Sequence, residues 1–177
     1  PDEIGLILIT HGHTDHFGSA AVLRERLAAP VAVHAADADA LRRGIQQPGS
    51  LNPTHWLWKL LSGAFSATSR GTPPVEPDIV FEEAWRLDEY GVAGEVMPTP
   101  GHTPGSVSVI LDSGEIIVGD MMGRDFLSLR RRAGPPFVAW DLDRNFRSLR
   151  EVLARHPHTI YVTHGGAFSP EDAAHLV

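Results

Sequence analysis

The N-terminal quarter of the chain alternates between short apolar runs and amphipathic segments. Ile4 to Ile9 is rich in β-branched residues, and this pattern predicts a buried strand. From Ser19 to Leu27 the apolar residues recur at helical spacing, which predicts a helix. Val31 to His34 predicts a second strand, and Ala36 to Arg43 predicts a second helix that Gly44 terminates. The predicted order is therefore strand, helix, strand, helix.

Residues 45–84 lose this regular pattern and are rich in proline and glycine. One short helix is predicted within them, from Thr54 to Phe65. A segment of this length without regular structure is typical of a lid, a binding loop or a disordered stretch. We therefore expect an irregular insertion at about residues 45–84.

Regular pattern returns in the second half of the chain. The strands predicted there are Glu95 to Pro98, Ser106 to Leu111, Glu115 to Val118 and Ile160 to Thr163. A helix is predicted between the last two strands, because Leu142, Phe146 and Leu149 lie on one helical face. Asp141 stands at the N-cap of that helix.

Histidine and aspartate residues follow several of these strands directly. The loop His11-x-His13-x-Asp15-His16 comes after the first strand, and His102, Asp120 and His164 each come after a later one. One edge of a sheet can present all of these side chains together. A single His or Asp at a strand end is usually structural, but this combination favours a metal site, since imidazole and carboxylate are ligands for zinc, iron and manganese.

Composition narrows the class of protein. The chain has 177 residues, 42% of them hydrophobic, which predicts one domain over residues 1–177. It has no apolar run near the roughly 20 residues that cross a bilayer and no signal-peptide pattern at Pro1, so we expect a cytoplasmic protein without membrane contact. The absence of cysteine excludes thiolate ligands. The net charge of −7 disfavours nucleic-acid binding and favours a small-molecule substrate, with a homo-oligomer left open.

The histidine loop, followed by a histidine, an aspartate and a last histidine, resembles the signature of the metallo-β-lactamase superfamily. The resemblance is to its glyoxalase-II-like and lactonase-like branches, because Asp120 stands where they keep a bridging carboxylate. It extends from Ile4 to about Phe168, leaves residues 45–84 unmatched, and implies an α+β fold, the αββα sandwich. Family members have a longer segment before the histidine loop, so we expect this domain to lack its first N-terminal strands.

The same resemblance implies the roles of the site residues. His11, His13 and His102 would hold one metal ion, Asp15, His16 and His164 would hold a second, and Asp120 would bridge the two. The expected cofactors are two divalent ions, zinc first, with iron or manganese as alternatives. The best-known zinc β-lactamases lack this bridging aspartate, and many use a cysteine ligand, so antibiotic hydrolysis is disfavoured.

The activity expected from this site is hydrolysis of a small-molecule ester, thioester or lactone by a metal-bridging hydroxide. Asp15 and Asp120 are the candidate catalytic residues. Three alternatives stay open at this point: a phosphodiesterase, a mononuclear iron persulfide dioxygenase, and a metal-binding module without catalysis.

Other polar and aromatic residues have two interpretations each. The stretch that contains Arg124, Arg130, Arg131 and Arg132 either binds a substrate anion or forms a solvated basic face. Trp56 to Leu61 either lines the site or packs on the core. The remaining histidines are predicted to lie on the surface or to serve packing: His34, His55, His156, His158 and His175.

Overall fold

A computed structural model describes residues 4–55, 71–125 and 132–177, and its strands form two main sheets flanked by helices. The strands are β1 (Ile7–Leu8), β2 (Val31–His34), β3 (Asn52–Pro53), β4 (Ile79–Phe81), β5 (Trp85–Arg86), β6 (Gly94–Pro98), β7 (Val107–Leu111), β8 (Glu115–Ile117), β9 (Gly123–Arg124), β10 (Ala133–Gly134), β11 (Val138–Ala139), β12 (Thr159–Val162) and β13 (Gly166–Phe168). The α-helices are α1 (Thr14–Phe17), α2 (Ala20–Leu27), α3 (Ala38–Arg43), α4 (Leu142–Leu153) and α5 (Pro170–Ala174). Single 3₁₀ turns occupy Ala35–Asp37 and Asp88–Tyr90.

The smaller sheet is parallel and has the order β1-β2-β4, whereas the larger sheet has the order β13-β12-β8-β7-β6-β5. In the larger sheet only the β8–β12 pair is parallel. Two short antiparallel ribbons, β9–β10 and β3–β11, lie outside the two sheets. The second ribbon contacts the histidine loops described below.

Three apolar clusters define four layers. Val96 and Val107 of the larger sheet pack with Leu8 and other side chains of the smaller sheet, so the two sheets face each other. Ile160 packs with Leu149 of α4 on the opposite face of the larger sheet. A third cluster joins the smaller sheet to α1, α2 and α3. The order of layers is helix, sheet, sheet, helix, which confirms the predicted αββα sandwich.

Most of the predicted elements form, with boundaries that differ from the prediction by up to three residues. The first strand was predicted over Ile4 to Ile9, but only Ile7–Leu8 is assigned to the ladder, although Ile9 N–H still donates to Ala32 O at 2.9 Å. The helix over Ala36 to Arg43 divides into the 3₁₀ turn and α3, and Gly44 ends it with a φ of 64°. Asp141 caps α4 as predicted, because its carboxylate accepts from Arg144 N–H at 2.8 Å.

The segment at residues 45–84, predicted to be an irregular insertion, contains two short strands among its described residues. This segment contributes β3 and also β4, which pairs with β2 in the register Val33↔Val80. The sequence did not indicate β4, since three apolar residues between Pro77 and Glu82 are too few to show a period. Most of the predicted helix from Thr54 to Phe65 lies outside the described residues. The later elements β5, β9, β10, β11, β13 and α5 were also not predicted.

None of the helices within the described ranges combines the length and the apolarity needed to cross a membrane. The longest of them is α4, which buries Leu149 and Val152 and also the polar residues Asn145 and Ser148.

An ion pair at the start of β4 gives a test of stability. The Asp78 carboxylate accepts from Arg24 Nε–H at 2.7 Å and from Val31 N–H at 2.9 Å, and the hydrogen bond from Arg24 lowers the pKa of Asp78 to about 2. We expect Asp78→Asn to lower the free energy of unfolding at pH 7 by about 1 kcal/mol, because partial exposure screens the pair.

Because the folded-state pKa of Asp78 is depressed, its contribution is complete above the unfolded value of 3.8 and is lost as the pH falls toward 2. Urea titrations of wild type and Asp78→Asn should therefore differ at pH 7 and converge near pH 2. Asp39→Asn is the matched control, since Asp39 forms only an exposed pair with Arg43 on α3. An equal loss in both variants would contradict the assignment.

Candidate metal centre

The side chains of the candidate site come from loops at the ends of four strands. The histidine loop follows β1, His102 follows β6, Asp120 follows β8 and His164 follows β12. β1 belongs to the smaller sheet and the other three strands to the larger sheet. The prediction that one edge of one sheet presents them is therefore corrected: two facing sheets contribute, at one end of the sandwich.

The backbone of the histidine loop changes direction at His13. His13 is extended, with φ −99° and ψ 143°, and Thr14 begins the single helical turn of α1. Asp15 and His16 therefore project from a helical turn, whereas His11 and His13 lie on the extended segment before it. This change explains how four ligand-type residues close together in sequence can serve two separate positions.

His11, His13 and His102 form a buried cluster, called here the buried triad. The ring centroids are 4.9 Å apart for His11 and His13, and 4.6 Å apart for each of the other two pairs. One nitrogen from each ring lies within 4.8 Å of the others. All three side chains are nearly inaccessible to solvent.

The outward nitrogens of the buried triad are held by fixed partners. His102 Nδ1–H donates to Val138 O at 2.9 Å, and His13 Nε2 lies 2.7 Å from Ser50 Oγ. The Ser50 hydroxyl donates to Gln47 O, so it accepts from His13 Nε2–H. His11 Nδ1 lies 3.1 Å from Thr10 Oγ1. Such partners fix the tautomer and the orientation of a metal-binding imidazole.

The inward nitrogens are then left without protons. His13 Nδ1 and His102 Nε2 lie 3.0 Å apart, and both are unprotonated when the outward nitrogens carry the hydrogen. Two lone pairs at this distance repel, and a cation between the rings relieves the repulsion. His11 Nε2 is buried and has no hydrogen-bond partner within the described ranges. The buried triad therefore fits a metal ion through His11 Nε2, His13 Nδ1 and His102 Nε2.

Asp15, His16, Asp120 and His164 form a second group, called here the open cluster, whose ligand atoms also lie within 4.8 Å of one another. His16 Nε2 is 3.6 Å from Asp15 Oδ2, and His164 Nε2 is 3.4 Å from the same oxygen. Ligands that share a zinc ion at 2.0–2.1 Å are separated by about 3.3 Å in a tetrahedral site. The spacings in the open cluster are close to that value.

Asp120, a member of the open cluster, also lies beside the buried triad. Its Oδ2 is 3.9 Å from His11 Nε2 and 3.7 Å from His102 Nε2, in the buried triad. The same oxygen is 3.4 Å from His16 Nε2 and 3.5 Å from His164 Nε2, in the open cluster. Its other oxygen, Oδ1, is buried and has no hydrogen-bond partner in the described part of the chain. This position suits a carboxylate that is shared between two ions.

Burial sets the protonation states of these groups. It lowers the pKa of His13 to about 3, and it also lowers the pKa of His11 and of His102. Burial alone would raise the pKa of Asp120, but the neighbouring His16, His102 and His164 outweigh this effect and the pKa falls. At neutral pH the buried triad is therefore uncharged and Asp120 is ionised, which are the forms that bind metal.

Solvent access differs between the two groups. The side chain of His164 is 51% exposed and that of Asp15 is 58% exposed, whereas the side chain of His11 is 1% exposed. A molecule arriving from solvent therefore meets the open cluster first.

Sequence reasoning missed two residues that support the site. Ser50 lies in the segment predicted to be irregular, and Asp37 lies within the predicted helix Ala36 to Arg43. Asp37 is fully buried, and burial raises its pKa although hydrogen bonds from Thr103, Gly12 and Gly105 partly oppose the shift. An Asp at a helix start is usually interpreted as an N-cap, so nothing in the sequence pattern indicated that Asp37 contacts the ligand loops.

Of the other candidate residues, those that the structure describes belong to neither group, and the rest lie outside the described residues. Arg124 belongs to the β9–β10 ribbon, and its backbone N–H donates to His164 O at 3.3 Å. Arg130, Arg131 and the segment Trp56 to Leu61 lie outside the described residues. His34 and His158 contact backbone oxygens of Glu82 and Ser113.

Related proteins share this architecture. The chain is 23% identical over 180 residues to the probable metallo-hydrolase YflN of Bacillus subtilis, covering 92% of this chain and 65% of YflN. Among solved structures, it aligns with ST1585 of Sulfolobus tokodaii, a metallo-β-lactamase superfamily protein, at a TM-score of 0.67 and 25% identity, covering 99% of this chain and 68% of that one. It also aligns with TTHA1623, solved in a di-iron-bound form, at a TM-score of 0.65 and 27% identity, covering 96% and 74%.

The chain spans between 41% and 65% of the length of the first curated relatives that it matches. The match to the family model described as the metallo-β-lactamase superfamily runs over residues 1–164. This range contains every residue of the buried triad and the open cluster, and it ends at the last of them, His164. By the extent of this match, the chain belongs to the metallo-β-lactamase superfamily.

Proposed function

We propose that this chain is a dinuclear metal-dependent hydrolase that acts on a small-molecule ester, thioester or lactone. The observation that carries the proposal is the position of Asp120, whose Oδ2 lies within 3.4–3.9 Å of four imidazole nitrogens, two from each group. A carboxylate oxygen shared in this way supports two ion positions side by side.

The metal ions would be held by the buried triad at one position, by Asp15, His16 and His164 at the other, and by Asp120 between them. When bound, two divalent ions lower the pKa of water to about 7 and polarise a carbonyl or phosphoryl oxygen. The five imidazoles are neutral ligands and the two aspartates contribute two negative charges. Two divalent ions therefore leave the site positive, which favours an oxyanion in the transition state.

Asp15 is the residue best placed to move a proton. Its carboxylate belongs to the open cluster, yet 58% of its side chain is exposed, so it also faces the side from which a substrate arrives. We assign it two roles: it would hold the second ion, and it would pass to the leaving group the proton that the attacking water gives up. Asp120 is less suited to proton transfer, because its side chain is only 14% exposed and its position between the groups suits binding.

The neighbouring surface supports an acyl substrate with an apolar group. Leu51, Phe137 and Trp140 are large hydrophobic residues exposed on or beside the β3–β11 ribbon. This ribbon is tied to the buried triad, since Val138 O accepts from His102 Nδ1–H and Trp140 N–H donates to His102 O at 2.9 Å. An apolar acyl chain can contact these side chains while its carbonyl lies at the ions.

The direct test is a substrate panel assayed with zinc-, manganese- and iron-loaded protein. The panel contains acyl esters, thioesters, lactones and phosphodiesters, and a chelated sample is the control. We expect hydrolysis of at least one carbonyl class, with loss of activity after chelation. Faster hydrolysis of hexanoyl than of acetyl substrates is expected if the exposed ribbon residues contact the acyl chain.

Three outcomes would replace the proposal. Turnover of phosphodiesters alone would identify a phosphodiesterase. One bound iron with oxygen consumption on a persulfide would indicate a dioxygenase. Metal binding without turnover of any of these substrates would leave a binding module.

A further inference from the structure

Asp37 connects the two loops that carry the buried triad. Its Oδ2 accepts from Gly12 N–H at 2.6 Å, between His11 and His13 in sequence, and also from the Thr103 hydroxyl at 2.5 Å. Its Oδ1 accepts from Gly105 N–H at 3.0 Å. Thr103 and Gly105 lie in the loop of His102. One buried carboxylate thus binds the first loop from one oxygen and the second loop from both.

This carboxylate does not cap its own helix. Asp37 occupies the N-cap position of α3, where aspartate commonly accepts from the helix backbone. Among the described residues its side chain makes no such cap bond and is directed to the two loops instead. A common local interaction is therefore replaced by contacts with residues 25 and 68 positions away in sequence.

The two glycines that bind Asp37 leave no room for a larger residue. A Cβ atom on Gly105 would lie 2.6 Å from Asp37 Cγ, and one on Gly12 would lie 3.1 Å from the same atom. Both backbones therefore approach the carboxylate closely because they lack side chains. The close contact keeps the two loops at a fixed separation on either side of Asp37.

We propose that Asp37 is a positioning residue that holds these two loops at the separation the buried triad needs to bind a metal ion. It acts through the backbone of the ligand loops and touches neither the ion nor the substrate. The inference rests on the proposed function, since it assumes that the buried triad binds metal. It extends that function by assigning a role to a residue outside the seven ligands.

The test is zinc affinity, measured by competition with a chromogenic chelator. Asp37→Asn keeps the size of the side chain but turns one acceptor oxygen into an amide donor, which then faces a donor of one loop. We expect the affinity for zinc to fall about 10- to 100-fold, as for other groups that orient metal ligands. Val152→Ala is the control, because Val152 is fully buried in the apolar cluster between α4 and the larger sheet, and none of the three hydrogen bonds that Asp37 accepts involves that cluster. That variant should unfold more easily and bind zinc as wild type does.

A second pair of variants tests the Thr103 hydroxyl, which donates to Asp37 and also lies 2.9 Å from Ser106 Oγ. Thr103→Val removes the hydroxyl that donates to Asp37, whereas Thr103→Ser keeps it. We expect weaker zinc binding in the valine variant and wild-type zinc binding in the serine variant. If Asp37→Asn does not fold, this pair tests the positioning role instead. The positioning role alone would be overturned if Asp37→Asn and Thr103→Val bound zinc with wild-type affinity. It would also be overturned if Val152→Ala lost as much zinc affinity as they do. A wild-type chain that binds no zinc, manganese or iron would overturn the proposed function and this inference together.

Discussion

Replacing Asp120 with alanine is expected to reduce the bound metal from about two ions per chain to about one, and to reduce hydrolysis by a factor on the order of 10² to 10⁴. Asp120 Oδ2 is within 3.4–3.9 Å of nitrogens from both groups, so its removal would take a ligand from each of the two proposed ions. The ion in the open cluster should be lost first, because His164 and Asp15 are half exposed and compete with water. The ion in the buried triad keeps three imidazoles.

Elemental analysis measures the bound metal per chain, and kcat/KM on the same samples measures hydrolysis. Asp120→Asn supplies a graded comparison, since the amide keeps the shape and one oxygen but loses the charge, and it should retain more metal than alanine does. Asp143→Asn is the matched control, because Asp143 is an exposed carboxylate on the first turn of α4. Two ions and wild-type turnover in Asp120→Ala would show that this carboxylate does not bridge.

The prediction of the fold succeeded where local patterns were long enough to show a period. The apolar face that Leu142, Phe146 and Leu149 share marked α4, and the prediction placed its N-cap at Asp141 correctly. β4 was missed, because a three-residue strand at the edge of a sheet is stabilised by pairing with β2 rather than by its own pattern. Pairing with a distant strand cannot be derived from a local window of sequence.

The site also combines residues that a local sequence pattern marks with contacts that depend on distant parts of the chain. The positions of the ligand-type residues could be predicted, because each follows a strand and the spacing of the histidine loop is specific. Their grouping came from the resemblance. In the structure His11, His13 and His102 lie together, and Asp15, His16 and His164 lie together with Asp120.

The supporting residues of the site could not be predicted. Ser50 and Asp37 contact residues 37 and 25 positions away, and Val138 contributes only a backbone carbonyl to His102. A carbonyl is present in every residue, so no side-chain pattern can mark the one that orients an imidazole. Contacts of this kind depend on how the loops fold together, and they determine which nitrogen of each ring faces the ion.

Removal of metal is expected to lower the melting temperature of this chain by about 8–16 °C relative to the zinc-saturated protein. A ligand at 1,000 times its Kd stabilises the folded state by about 4.1 kcal/mol, and 1 kcal/mol corresponds to about 2–4 °C for a chain of this size. The physical source is the buried triad, where His13 Nδ1 and His102 Nε2 face each other at 3.0 Å without an intervening proton. A bound cation removes that repulsion and holds both loops.

Differential scanning fluorimetry on chelated, zinc-loaded and magnesium-loaded samples separates this effect from general salt stabilisation. Magnesium should leave the melting temperature near that of the chelated sample, since it prefers octahedral oxygen ligands and the buried triad supplies three imidazole nitrogens. Zinc, manganese and iron should raise it, in an order set by their affinity for nitrogen ligands. A melting temperature that chelation does not change would mean that the buried triad is stable without an ion, and the repulsion argument would then fail. An equal increase with magnesium would place the stabilising ion at a carboxylate site elsewhere. Magnesium prefers its water ligands to three neutral imidazoles.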